Sequence, residues 1–165
     1  MALIRHDAET GARLVTDDPW IEVGDDAPLP DSGDVVVPLS RLAGLGEVPG
    51  RLGVRVDGAT DPEALLPFLD RLELVVIEVP KFTDGRAYSL ARLLRDRHGY
   101  RGSLRAVGDV LRDQLLFFFR CGFDAFELAE GKDVDDALAA FRDFSVTYQP
   151  AEDHDQPIWR RRREA

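Results

Sequence analysis

Between residues 51 and 140 the chain repeats one pattern four times: a short apolar run, a turn rich in charge, then residues at helical spacing. The second run, Leu74-Val75-Val76-Ile77-Glu78-Val79, is apolar and β-branched almost throughout, as suits a strand buried on both faces. The other runs are 52–56, 104–107 and 125–128. They are too short for buried helices, and the Gly, Pro and Asp residues around them mark strand ends. Strands alternating with helices through short connections imply parallel neighbours joined by right-handed crossovers. The expected class is therefore α/β, with four or more β–α units and a mainly parallel sheet. That sheet is either open and doubly wound or curved like half of a (β/α) barrel, since four units are too few to close a full barrel.

Capping chemistry sets the expected helix boundaries. Asp61-Pro62-Glu63 opens the first, and Ala64, Leu65, Phe68, Leu69 and Leu72 supply its apolar stripe. Asp84 or Thr83 caps the second, which stops near Gly99. Asp109 caps the third, which ends at Gly122, and Asp133 with Asp136 opens the last. Residues 1–50 lack this rhythm and carry many of the prolines. A hairpin is expected from 3–7 and 13–15, short strands at 20–23 and 35–39, and one helical turn at 38–42. This region is expected to be an irregular or β N-terminal extension packed on an α/β domain of residues 51–149. Residues 150–165, with Trp159 ahead of four arginines at 160–163, are expected to form a flexible tail.

Composition excludes several function classes. A net charge of −10 over 165 residues argues against nucleic acid as a partner, because phosphate backbones demand Lys and Arg. Cys121 is the only cysteine, so one chain cannot build a disulfide, a Cys-only zinc site or a thiolate-held iron–sulfur cluster. It is expected to be a small buried core residue. His6, His98 and His154 make no i, i+4 pair. No G-x-G-x-x-G follows a strand and no P-loop is present, so no cofactor is evident. No signal peptide opens the chain, and its longest uncharged apolar run, 115–119, is far too short to span a bilayer. A cytoplasmic location without membrane contact is expected, and the oligomeric state is left open.

In α/β proteins ligands sit beyond the carboxyl ends of the strands. Two turns lie there: Lys81-Phe82-Thr83-Asp84-Gly85-Arg86 and Gly108-Asp109-Val110-Leu111-Arg112-Asp113. Lys81, Asp84, Arg86, Asp109 and Arg112 are the candidate catalytic residues. Lys81, Arg86, Arg105 and Arg112 could form a cationic collar for sulfite, phosphate or a carboxylate. Asp57, Glu78, Asp109 and Glu127 are the weaker candidates for a hard cation such as Mg²⁺, without a spacing motif behind them. Each of these residues is also an ordinary cap or ion-pair partner. Glu78 interrupts an apolar strand and is expected to pair with Lys81 or Arg105. The run Phe117-Phe118-Phe119 covers more than one helix face, and the third ring is expected to be covered by the chain itself.

The strings FTDGR-x-YSLA-x-LLR, GYRG-x-LRAVGDVLRDQL and RCGFDAFEL resemble a bacterial family of unknown function over roughly residues 53–144. Its members are described as candidate oxidoreductases of sulfite reduction, because they are typically encoded beside the assimilatory sulfite reductase hemoprotein. The matching positions are Phe82, Asp84, Gly85, Arg86, Tyr88 and Ser89, then Gly108, Asp109, Arg112, Asp113 and Gln114, then Arg120, Cys121, Gly122 and Asp124. The resemblance implies an accessory protein of sulfur assimilation that binds the reductase or a small anion and does not itself carry electrons. Two alternatives remain: a small barrel-like enzyme using the strand-end Asp57, Glu78, Lys81, Asp109 and Glu127 for acid–base or metal-assisted chemistry, and a flavin- or nicotinamide-dependent oxidoreductase.

Overall fold

The computed structural model describes residues 1–7, 9–144 and 150–152. The Trp159–arginine tail and most of its approach lie outside the described residues. Eight strands form one curled, half-barrel-like sheet. Strands β1 (Ala2–Asp7) and β2 (Gly11–Val15) are the N-terminal hairpin, followed by β3 (Trp20–Glu22) and β4 (Asp34–Pro38). The helical turn α1 (Leu39–Leu42) leads to β5 (Leu52–Asp57), β6 (Leu72–Val79) and helix α2 (Arg86–Asp96). Strand β7 (Ser103–Gly108), helix α3 (Leu115–Arg120), strand β8 (Ala125–Leu128) and helix α4 (Val134–Ala140) complete the order.

Strands β3 to β8 are neighbours in chain order and all parallel. The order never reverses, so there is no doubly wound switch point and the half-barrel alternative is the observed one. The sheet as a whole is mixed rather than mainly parallel, because β1 runs antiparallel to both β8 and β2. A hairpin needs no crossover, which is how residues 2–15 extend the sheet beyond β8 without another helix. Residues 1–50 thus supply four of the eight strands, at both edges.

Side-chain alternation divides the sheet into two unlike faces. Val54, Val56, Val75, Ile77, Val79, Leu104, Ala106 and Phe126 point to the main core, where Leu90, Ala91 and Leu94 of α2 and Leu115 and Phe118 of α3 meet them. The opposite face carries only a small apolar cluster, Val36, Leu74, Val76 and Val107 against Trp20. Five charged positions, Arg55, Asp57, Glu78, Arg105 and Glu127, alternate with core residues on that face.

Two expected helices change form. Residues 61–72 make two 3₁₀ segments, Pro62–Ala64 and Leu66–Arg71, and Leu72 begins β6. Pro67 lies within the segment; it has no N–H to give and disfavours α geometry at Leu66. Asp61 still caps the start by accepting the Glu63 N–H at 3.0 Å. The third helix does not begin at Asp109; a 3₁₀ turn, Arg112–Gln114, precedes α3. Asp133 caps α4 as expected, accepting the N–H groups of Asp135 and Asp136 at 2.9 and 3.1 Å.

One half-buried cation ties the α2 end to the strands that follow. Arg95, its side chain 10 % exposed, donates to the carbonyls of Tyr100 (2.8 Å), Gly102 (2.7 Å) and Gly122 (2.8 Å). Gly122 has φ +102°, and a Cβ there would stand 2.5 Å from Arg95 Cγ, so the turn needs glycine both for its backbone and for its neighbour. Arg95→Met would keep most of the apolar stem but leave three carbonyls without their donor. A loss of about 3 kcal/mol in urea denaturation is expected, and a loss within the scatter of surface substitutions would refute this role.

Candidate functional site

The two strand-end turns are brought together and locked to each other. At the end of β7, Gly108 takes φ +97°, and a Cβ on it would lie 2.5 Å from the Val79 carbonyl oxygen of β6. That close approach lets the Asp109 N–H donate to the same carbonyl at 2.8 Å. The Asp109 carboxylate then accepts the Phe82 N–H at 2.9 Å, across from the β7 turn to the β6 turn. Gln114 completes the tie: its Nε2 donates to the Phe82 carbonyl at 2.8 Å, and its Oε1 accepts the Leu111 N–H at 3.3 Å. Asp109 thus fastens a neighbouring turn instead of capping its own helix.

The other candidates divide. Asp84 accepts the Arg86 backbone N–H at 3.1 Å and its Nε at 2.9 Å, so this pair closes on itself at the start of α2. Arg112 reaches forward to α4 and beyond, binding Asp136 at 3.1 Å and Asp143 through a two-pronged contact. Lys81 is exposed and makes no side-chain hydrogen bond or ion pair among the described residues. The cationic collar does not assemble, because Arg86 and Arg112 are each matched by carboxylates. Arg105 lies on the open face and binds Asp18, 87 residues away in sequence.

The carboxylates are distributed similarly. Asp57 and Glu78 are register partners on the open face, and Glu127 lies on that face of β8, two strands from Glu78. Asp57 accepts the Ala59 N–H at 2.6 Å, closing its own turn. Glu78 pairs with neither Lys81 nor Arg105: Arg55 of β5 binds it at 3.4 Å and binds Glu22 of β3 at 2.7 Å. No group of three potential metal ligands occurs among the described residues.

Around the locked turns stand three exposed rings. Phe82 and Phe117 are each 53 % exposed and Phe144 is 60 % exposed. Gln114 holds the backbone of Phe82 and lies one helical turn before Phe117, while Arg112 binds Asp143, the neighbour of Phe144. Of the three consecutive phenylalanines, Phe118 is buried and Phe119 packs on His6 and Phe141, but Phe117 is not covered as expected. Its pattern in the sequence, one ring too many for one buried stripe, was the available signal. Cys121, beside this patch, is half-buried rather than a core residue, and burial pushes its thiol pKa up, away from the reactive thiolate.

The Asp84–Arg86 pair gives this region a titration signature. Hydrogen bonds from Arg86 hold the Asp84 carboxyl down at about 2, against 3.8 for an ordinary aspartate. A depressed folded-state value stabilises the fold above the unfolded value and is lost as pH falls through the folded one. The contribution is therefore present above pH of about 4 and disappears towards pH 2. Carboxyl NMR titration should place Asp84 at the depressed value in the native chain and return it towards 3.8 in Arg86→Gln. An unchanged titration in the variant would remove Arg86 as the cause.

Among the described residues no helix is long and apolar enough to cross a membrane. No curated protein matches the chain. Comparison with protein families matches residues 53–159, which include both locked turns, β5 to β8 and helices α2 to α4. The chain belongs to the family described as bacterial protein of unknown function (DUF934).

Proposed function

We propose that this protein is an accessory component of assimilatory sulfite reduction that docks on the sulfite reductase hemoprotein and does not carry electrons itself. The pathway comes from the resemblance of the strand-end motifs to proteins encoded beside that reductase. The observation that carries docking is the exposure of three aromatic rings, Phe82 on a locked turn, Phe117 on α3 and Phe144 beyond α4. Aromatic rings held by a rigid backbone are what a protein interface uses as anchors, because little side-chain freedom is lost on binding. The ties from Asp109 and Gln114 hold the turn that bears Phe82 in place before any partner arrives. Most candidate acid–base groups are engaged in internal ion pairs or turn bonds, which favours a structural role for the rim over proton transfer. The raised thiol pKa of Cys121 likewise disfavours thiolate chemistry.

Tagged protein retained on resin from its own cell lysate should recover the hemoprotein, and the bait, once separated, should be colourless. Phe82→Ser and Phe117→Ser should each weaken binding to the purified reductase by about tenfold or more, as anchor residues do. Equal recovery by the doubly substituted chain would sink the docking surface. A chromophore on the separated bait would instead support the flavin or nicotinamide reading.

A further inference from the structure

At the opposite ends of the same strands, the open face holds a cavity of about 420 Å³. It lies where β5 to β8 begin, walled on one side by the β1–β2 hairpin and on another by Trp20. Five arginines line it, Arg5, Arg13, Arg51, Arg101 and Arg105, against three carboxylates. Two further carboxylates, Asp34 and Asp124, stand just outside the lining and pair with Arg51 and Arg5.

Three of the five guanidinium groups are matched: Arg5 by Asp124 at 3.0 Å, Arg51 by Asp34 at 2.6 Å and Arg105 by Asp18 at 2.8 Å. Arg13 and Arg101 make no hydrogen bond or ion pair among the described residues. Arg13 stands directly opposite Arg5 in the antiparallel β1–β2 pair, an arrangement in which like charges repel. Arg105 is 6 % exposed and both its terminal nitrogens face Asp18, yet its buried Nε has no partner. A buried donor on a cation left unmet is costly, and solvent does not relieve it here.

We propose that this cavity binds a small, doubly charged oxyanion of the sulfate or phosphate type, held by Arg13 and Arg101 beside the Arg105–Asp18 pair. Such an anion offers several acceptor oxygens in the geometry that guanidinium groups match, and it would offset the Arg5–Arg13 repulsion. The cavity falls within the range of about 300–1,000 Å³ typical of small-molecule sites. The site lies at the other end of the strands from Phe82 and Phe117, so it stands whether or not the docking surface does.

Trp20 lines the cavity, with the Arg51 guanidinium 5.1 Å from its ring, and so provides a built-in reporter. The chain has two tryptophans, and Trp159→Phe leaves Trp20 as the only indole. That chain is titrated with sodium sulfate and separately with sodium phosphate, ionic strength being held constant with sodium chloride. A saturable change in Trp20 fluorescence, matched by one site per chain in calorimetry, is expected for at least one of the two salts. Arg13→Gln and Arg101→Gln should each weaken it by about tenfold or more, with thermal stability not lowered, because neither side chain has a partner to lose among the described residues. Arg97→Gln, exposed at the end of α2, controls for bulk charge and should leave the affinity alone. No response beyond that of chloride with either salt, or equal affinity in the Arg13→Gln/Arg101→Gln chain, would overturn the assignment.

Discussion

Strands β3 to β8 follow one another in space in the order they occur in the chain, all pointing the same way. Right-handed crossovers between such strands all fall on one side of the sheet. The consequence is a sheet with one helix-covered face and one face left to other devices. A doubly wound sheet reverses its order and covers both faces; this one does not, so it curls around its bare side. Nearly every other structural feature answers to that asymmetry. The covered face carries the large apolar core that stabilises the fold, from Ile4 in β1 through Val54, Ile77 and Leu104 to Phe126.

On the bare face, alternation puts a charged residue where a sandwich would put a second apolar layer. Arg55 stands between Glu22 and Glu78 across three strands, and Arg105 reaches out of β7 to Asp18. The Glu22–Arg55–Glu78 groups are all more than one third exposed. Pairs of that kind contribute about 0–1 kcal/mol each, so they explain how the face tolerates water rather than why the sheet is stable. Arg105 differs because it is buried, and its pairing with Asp18 is a condition of its presence there.

Much of this was legible in the residues. The β-branched runs and the Gly and Asp punctuation give the positions of β5 to β8, and the 3–7 with 13–15 hairpin is the observed β1–β2 pair. What misled was local chemistry read without its tertiary context. Asp109 before an apolar run has the form of a cap, but the Phe82 N–H from a turn 27 residues earlier claims its carboxylate. Residues 61–72 have a helical stripe, yet Pro67 within it favours the tighter 3₁₀ form. The partner of Glu78 was recoverable in principle, since Arg55 shares its face once β5 and β6 are placed in register. The link from Arg105 to Asp18 was not, because no periodicity connects β7 to a loop 87 residues away.

The same reasoning explains why the anion-binding chemistry expected at the strand carboxyl ends finds better support at the amino ends. At the carboxyl ends the arginines find carboxylates: Arg86 meets Asp84 of its own turn, and Arg112 meets Asp136 of α4 and Asp143 beyond it. Those pairs form because the partners are close in sequence or lie on adjacent helices, and they leave little net charge behind. At the amino ends, the N-terminal hairpin brings Arg5 and Arg13 against Arg101 and Arg105 from distant parts of the chain, and Arg13 and Arg101 have no partner among the described residues. Screening confines such an imbalance to roughly 8–10 Å at ordinary ionic strength. A net charge of −10 for the whole chain therefore does not decide the potential inside one concave, arginine-lined site.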